Sequence, residues 1–189
     1  MDALEALTTR ASPVTLTEPA PDGATLDRIL LAAVRGPDHG RLRPWRFFVV
    51  RGAARQRLGD VLAGALRARE PDVPDALVVK EREKPLRAPL IVVVAAKLLE
   101  HRKIPRVEQL IAAGIAADNI LVAAHALGFG GMWRTGAPAY DPRVKEAFGL
   151  GADDAIVGFL YLGTTAASAP PLDRPQPKAF VAEWSGSTG

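Results

Sequence analysis

Apolar residues in the first part of the chain recur at helical spacing and then give way to short unbroken runs. Asp2, with Glu5 three residues on, forms a capping box for a first short helix that ends near Arg10, where Ala11-Ser12-Pro13 turns the chain. After a loop from Glu18 to Gly23, Leu26, Ile29, Leu30, Ala33 and Val34 mark one apolar helix face, stopped by Gly36-Pro37. Trp45 to Val50 reads as a buried strand, with Trp45 in the core, and residues 53–69 as the next helix. The stretch from Glu70 to Ala88, rich in proline and charge, reads as a partly helical surface excursion. Leu90 to Val94 is a β-branched, uninterrupted strand of the kind buried on both faces.

Residues 107–127 form the longest helix, apolar on most sides and interrupted only by Glu108, Gln109, Asp118, Asn119 and His125. Such a helix is either central or covered by a second subunit. It stops at Gly128-Phe129-Gly130-Gly131, and a third strand follows through Met132-Trp133-Arg134. Asp141-Pro142 opens a short helix, with Asp as cap and Pro in the first helical position. Residues 155–162 make a fourth strand. From Thr164 onward Pro170, Pro171, Pro175 and Pro177 mark an extended arm that ends in Phe180, Val181 and Trp184, apolar anchors suited to packing across another surface. The pattern predicts one α+β domain over residues 1–163, a central mixed sheet of four to five strands flanked by helices, and a C-terminal arm over 164–189 that packs on a partner subunit.

Composition narrows the chemistry. A chain of 189 residues with 48% hydrophobic and 24% charged residues can bury a real core. The absence of cysteine excludes a disulfide framework, a thiolate metal site and a cysteine nucleophile. His39, His101 and His125 are far apart and lack ligand spacing, so no metal site is expected. The net charge of +3 rests on 18 arginines and 6 lysines interleaved with acids, as in Lys80-Glu81-Arg82-Glu83-Lys84. That is not the dense basic stripe of a nucleic-acid binder. The arginine excess reads either as solvated helix faces or, in part, as a grip on a phosphate-bearing ligand. The N-terminal residues show neither the basic flank nor the apolar stretch of a signal peptide. The longest strictly apolar run, Pro89 to Ala96, is too short to span a bilayer, so a cytoplasmic protein without a membrane partner is expected.

Three segments carry candidate chemistry: Arg10-Ala11-Ser12, Arg35-Gly36-Pro37-Asp38-His39-Gly40-Arg41-Leu42-Arg43-Pro44-Trp45, and Gly128-Phe129-Gly130-Gly131-Met132-Trp133-Arg134-Thr135-Gly136. In this order and spacing, with Lys103-Ile104-Pro105-Arg106 and residues 156–163 in support, they resemble the nitroreductase family in its minimal form. The resemblance implies an FMN-binding homodimer with two shared active sites. It also implies ping-pong chemistry in which NAD(P)H reduces the flavin and leaves before a small-molecule acceptor, such as a nitro compound or quinone, takes the electrons. The reaction would lie on the flavin, so no catalytic side chain is expected, in keeping with a sequence that offers no acid–base dyad. A weak flavin binder or flavin sensor without substantial turnover is the alternative.

By the same resemblance Arg10, Ala11 and Ser12 bind the FMN phosphate. A guanidinium and a hydroxyl two residues apart can both reach one phosphate, although Arg10 also suits a cation at a helix C-terminus. Ala11 and Thr15 stand where the family commonly has arginine, which thins that grip. Arg35 and His39 match flavin-contacting positions, with a helix-end cation and a backbone-bonding loop histidine as their structural alternatives. Gly131, Met132 and Trp133 are placed against FMN, and Arg134 close enough to serve as a phosphate partner. Gly128 alone satisfies the helix cap, so Gly130 and Gly131 point to a close backbone approach. These glycines follow a helix, unlike the dinucleotide fingerprint that opens one, so a nicotinamide is expected to stack transiently on the flavin rather than occupy a domain of its own.

Overall fold

In the computed structural model, which describes residues 1–165 and 174–186, the strand at Leu90 lies inside one sheet, whereas the strand from Trp45, expected to be buried, forms the sheet's edge and buries only Val50, because nothing described pairs with its outer side. The order along the chain is α1 (Ala3–Thr9), β1 (Leu16–Thr17), α2 (Gly23–Ala33), β2 (Trp45–Arg51), α3 (Ala54–Arg69), α4 (Asp75–Glu83), β3 (Leu90–Ala96), α5 (Arg106–Ala126), β4 (Gly130–Arg134), α6 (Ala137–Tyr140), α7 (Pro142–Ala147) and β5 (Ala155–Thr165). Single 3-10 turns occur at His39–Arg41, Lys84–Arg87 and Pro177–Ala179.

β3 pairs with β2 on one side and β5 on the other. The far edge of β5 takes β4 from Phe159 to Gly163 and then β1 at Thr164 and Thr165. Every described pairing is antiparallel, where a mixed sheet was expected. The cause is the connections. The α3–α4 hairpin returns the chain to the end of the sheet it left, so β3 runs back against β2. The single helix α5 joins β3 to β4, which run in the same direction, but β5 lies between them and pairs antiparallel with both.

β3 is buried at every position, and its side chains alternate between two cores. Ile91 and Val93 join Phe159, Tyr161 and Met132 beneath α3, α6 and α7. Leu90, Val92 and Val94 join Leu160 and Leu162 beneath α2 and α5, with Trp45 packed at the edge. By length and hydropathy alone α5 could cross a membrane. Here Ala112, Ala113, Ala116, Ala117, Ile120, Leu121 and Ala124 are buried against the sheet and α2, while Val107 and Ile111 stay exposed.

The local signals match the helix ends. The Asp2 carboxylate accepts the Glu5 N–H at 2.9 Å, Gly128 closes α5 in the left-handed conformation, and the Asp141 carboxylate accepts the Arg143 N–H at 2.9 Å with Pro142 in the first turn. Asp22, assigned to a loop from sequence, caps α2, and hydrogen bonds from Thr25 hold its carboxyl below the usual carboxylate range. The stretch from Glu70 to Ala88 departs most from expectation. It is not a mere surface excursion: Val73, Val78, Glu81 and Pro85 are buried, and α4 packs along α3. Of the expected arm, Pro170 and Pro171 lie outside the described residues. Phe180 and Trp184 are 75% and 87% exposed and touch no core.

The α3–α4 contact passes through Gly59, where an added Cβ would fall 2.1 Å from the Arg82 carbonyl oxygen. Gly to Ala in a helix interior ordinarily stabilises. Gly59→Ala should instead cost about 1–3 kcal/mol, because the obstacle is backbone that cannot rotate away. Thermal denaturation should show a lower Tm; an unchanged or higher Tm would mean that the two helices do not meet at this point.

Candidate functional site

α1 ends at Thr9, and Arg10 leaves it in extended conformation. The Arg10 guanidinium reaches the Ser12 hydroxyl at 3.4 Å, so a cation and a hydroxyl do share one turn. Two bonds fix that turn from outside. The Thr9 hydroxyl bonds the His125 ring at 2.9 Å, and the Arg174 guanidinium donates to the Arg10 carbonyl. Pro13 leans on the start of β4, 3.0 Å from where a Cβ on Gly130 would stand.

From there β4 runs with its side chains alternating between the two cores. A Cβ on Gly130 would meet Thr165 at 2.5 Å and Leu16 at 2.7 Å, and one on Gly131 would meet Leu121 at 2.7 Å. The close approach that these glycines permit is therefore to the chain's own side chains. Trp133 lies on the α5 side over Gly158, with its indole N–H donating to the Val157 carbonyl at 3.2 Å. Met132 and Arg134 face the other way, and the Arg134 Nε–H donates to the Met132 sulfur at 3.1 Å.

On that second side the strand borders a pocket of about 200 Å³ whose floor is Met132 and Phe159. Its polar wall is Glu81, Lys84, Arg87, Arg134, Thr135 and Tyr161, three cations against one carboxylate. Glu81 is 8% exposed; Lys84 donates to its Oε2, while its Oε1 is buried without a hydrogen-bond partner among the described residues. Burial pushes the Tyr161 phenol up to about 12; Arg87 and Arg134 oppose that rise and Glu81 adds to it. Tyr161 thus stays a neutral hydroxyl at the pocket wall through neutral pH.

The other two candidates stand elsewhere. Arg35, just past α2, borders a shallow groove with Asp2, Ala6 and Asn119 between α1, α2 and α5. His39, in its 3-10 turn, pairs with the Glu108 carboxylate on the first turn of α5. Within one chain, Arg10 and Ser12 with the intervening Ala11 form one group, Met132 and Arg134 a second, and Arg35 and His39 lie apart from both. Gly131 and Trp133 belong to the α5 packing. Sequence reasoning missed Glu81, Lys84, Arg87 and Tyr161 at the pocket and Arg174 at the turn. The available signal was the helical spacing of Val78, Glu81 and Pro85, which puts Glu81 on the inner face of a run read as solvated charge.

Comparison with known proteins identifies the family and the fold. Residues 8–164 match the model of the Nitroreductase family. YdjA of Escherichia coli (strain K12), provisionally named an NAD(P)H nitroreductase, is 48% identical over 182 residues, 96% of this chain and 98% of its own. A nitroreductase-like family protein from Bacillus cereus superposes with a TM-score of 0.82 at 24% identity, covering 98% of this chain and 97% of that one. A Bacteroides fragilis nitroreductase solved with bound FMN gives 0.73 at 19% identity, with 98% and 100% covered.

Tyr161 yields a prediction on pH. The fold favours its protonated form, so the associated stability is complete below pH 10 and is lost as the pH climbs toward 12. Tyr161→Phe has no proton to lose and should flatten the alkaline fall in the urea midpoint over that interval. Parallel declines of wild type and variant would show that the phenol is not buried as described.

Proposed function

The chain belongs to the nitroreductase family, and we propose that it is an FMN-dependent oxidoreductase that draws electrons from NAD(P)H and passes them by a ping-pong mechanism to a small organic acceptor such as a nitro compound or a quinone. The observation that carries this reading is the pair of sites at the two ends of β4. Pro13, the residue after the Arg10–Ser12 turn, abuts Gly130, and the polar pocket opens beside Arg134, four residues on. At the rise of a β-strand the two lie roughly 13 Å apart. That separation suits a ligand with a phosphate at one end and a polar ring at the other, and the donor sets match: a guanidinium and hydroxyl for the phosphate, three cations and a phenol around the ring. When bound, FMN would supply the hydride and electron transfer.

Arg10 and Ser12 would hold the phosphate, with the Ala11 backbone between them. Lys84, Arg87 and Arg134 would lower the cost of negative charge on the ring as it is reduced. Arg134, expected as a phosphate partner, would in this reading serve the ring, since its side chain lines the pocket. Met132 would form the apolar floor. Gly131 and Trp133 would shape the strand from behind, since their side-chain positions face α5. Arg35 and His39 suit a site shared with a second copy of the chain. A homodimer would also cover Leu4, Leu7, Val107, Ile111, Phe180 and Trp184, all exposed in the single chain.

Freshly purified protein should show flavin absorbance bands or acquire them when FMN is added, and light scattering should give twice the chain mass of 20.1 kDa. Arg10→Ala should weaken FMN about tenfold and leave riboflavin, which lacks the phosphate, almost unchanged; Ala11→Arg should tighten FMN by a similar factor. Fluorescence titration reads both. Equal effects on the two flavins would remove the phosphate from this turn. Steady-state NAD(P)H oxidation with an artificial acceptor separates the enzyme from a flavin binder without turnover.

A further inference from the structure

The 3-10 turn that carries His39 runs on through three residues in the left-handed region, Gly40 (φ 69°), Arg41 (φ 56°) and Arg43 (φ 50°). Arginine seldom adopts that backbone, because its Cβ crowds the chain, and it stays there only where the surroundings hold it. Here they do. The Asp38 carboxylate accepts the Arg43 N–H at 2.8 Å, and the Asp38 carbonyl accepts the Arg41 N–H at 3.2 Å. Gly40 is seated on Ile104, where an added Cβ would fall 2.2 Å from the Cδ1 methyl. The Pro44 carbonyl accepts the Lys97 N–H at 2.8 Å. The loop is thereby fixed to the segment between β3 and α5. Arg41 and Lys103 adjoin the first of these contacts, Arg43 and Lys97 the second.

With Arg102, these residues put five exposed cations on one corner of the molecule, and among the described residues none of them forms an ion pair. The nearby acids are engaged elsewhere. Asp38 holds the loop backbone, Glu108 pairs with His39, and Glu100 and Asp153 pair with Arg106. Asp154 accepts the N–H groups of Leu98 and Gly151. Cations gathered on a fixed backbone without counter-charge repel one another and draw in anions. All five side chains are donors only, and the guanidinium fork matches the oxygens of a phosphate monoester.

On the FMN reading given above, His39 reaches a site shared with a second copy of the chain. Arg41, two residues on and exposed, then lies at the rim of that site. The FMN phosphate is already matched by the Arg10–Ser12 turn, so a separate cationic corner calls for a second phosphate. The two nicotinamide donors differ at one place: NADPH bears a phosphate monoester on the adenosine 2′ position, where NADH has a hydroxyl.

We propose that Arg41 and Arg43, backed by Lys97 and Lys103, bind the 2′-phosphate of NADPH and select it over NADH. This rests on the FMN reading and adds to it a donor specificity, in residues separate from the phosphate turn and from the pocket beside β4.

The test has a binding arm and a kinetic arm, both on the protein as purified with its flavin. Calorimetric titration compares 2′,5′-ADP with 5′-AMP, which differ only in the 2′-phosphate. Steady-state oxidation of NADPH and NADH with an artificial acceptor gives kcat and KM for each donor. Wild type should bind 2′,5′-ADP at least about tenfold more tightly than 5′-AMP and should prefer NADPH by a similar factor, expressed in KM. Both ratios should shrink as salt is raised. The double variant Arg41→Asn, Arg43→Asn keeps residues that tolerate left-handed backbone and removes the charge. It should bring both ratios close to one, with the flavin spectrum and the NADH kinetics unchanged. Arg51→Gln with Arg57→Gln removes the same charge from the end of β2 and from α3, and should leave both ratios as they are in wild type. Equal binding of the two adenosine phosphates by wild type would overturn the proposal and leave the FMN reading intact. So would an Asn variant that keeps the preference, or a control pair that loses it. Protein that takes up no flavin and oxidises neither donor would instead remove the FMN reading, and the proposal with it.

Discussion

The insertion of β5 between β3 and β4 is the constraint on which the rest of the structure depends. β3 and β4 are joined by α5 and run the same way, so they could have paired directly as a parallel unit. They are held apart by a strand contributed from more than twenty residues further along the chain. That strand supplies Phe159 and Tyr161 to one core and Leu160 and Leu162 to the other. It also provides the edge on which β1 docks, and so fixes the segment just after the Arg10–Ser12 turn. The turn, the pocket floor and the seat of α5 all rest on one strand.

The pocket derives its character from low polarity below and unbalanced charge around the rim. Two arginines and a lysine border it with only one carboxylate in opposition. Charges gathered at a partly shielded cleft act more strongly than the same charges dispersed over a wet surface. The neutral Tyr161 phenol can donate there without adding charge. An arrangement of this kind has its field set before any ligand enters, so no reorganisation is needed when charge develops beside it.

Much of the scaffold was legible because local chemistry and global packing agree. Asp2, Asp141-Pro142 and Gly128 mark helix ends by mechanisms that act within a few residues, and Leu90 to Val94 admits only a strand buried on both sides. The sheet's antiparallel sense was not legible, since it depends on which strand slips between two others. Glu81 and Lys84 were hidden for a different reason. A run of alternating charges looks like a solvated face until the helix beside it is known to sit close enough to bury one of them, and that closeness depends on Gly59, far away in sequence. The candidate residues on β4 were found as a set, but only the pleat of the strand separates Met132 and Arg134, which line the pocket, from Gly131 and Trp133, which hold the strand to α5.

That pleat has an evolutionary consequence. A strand whose odd residues serve one compartment and whose even residues serve another lets two kinds of selection act on neighbouring codons without interfering. Positions 131 and 133 are tied to the helix seam, where a change of one atom meets Leu121 or Gly158. Positions 132 and 134 look onto open volume, where a change alters what the pocket will accept. A lineage of such proteins can therefore vary the lining of the pocket at two residues of a five-residue strand while the residues between and beside them stay fixed.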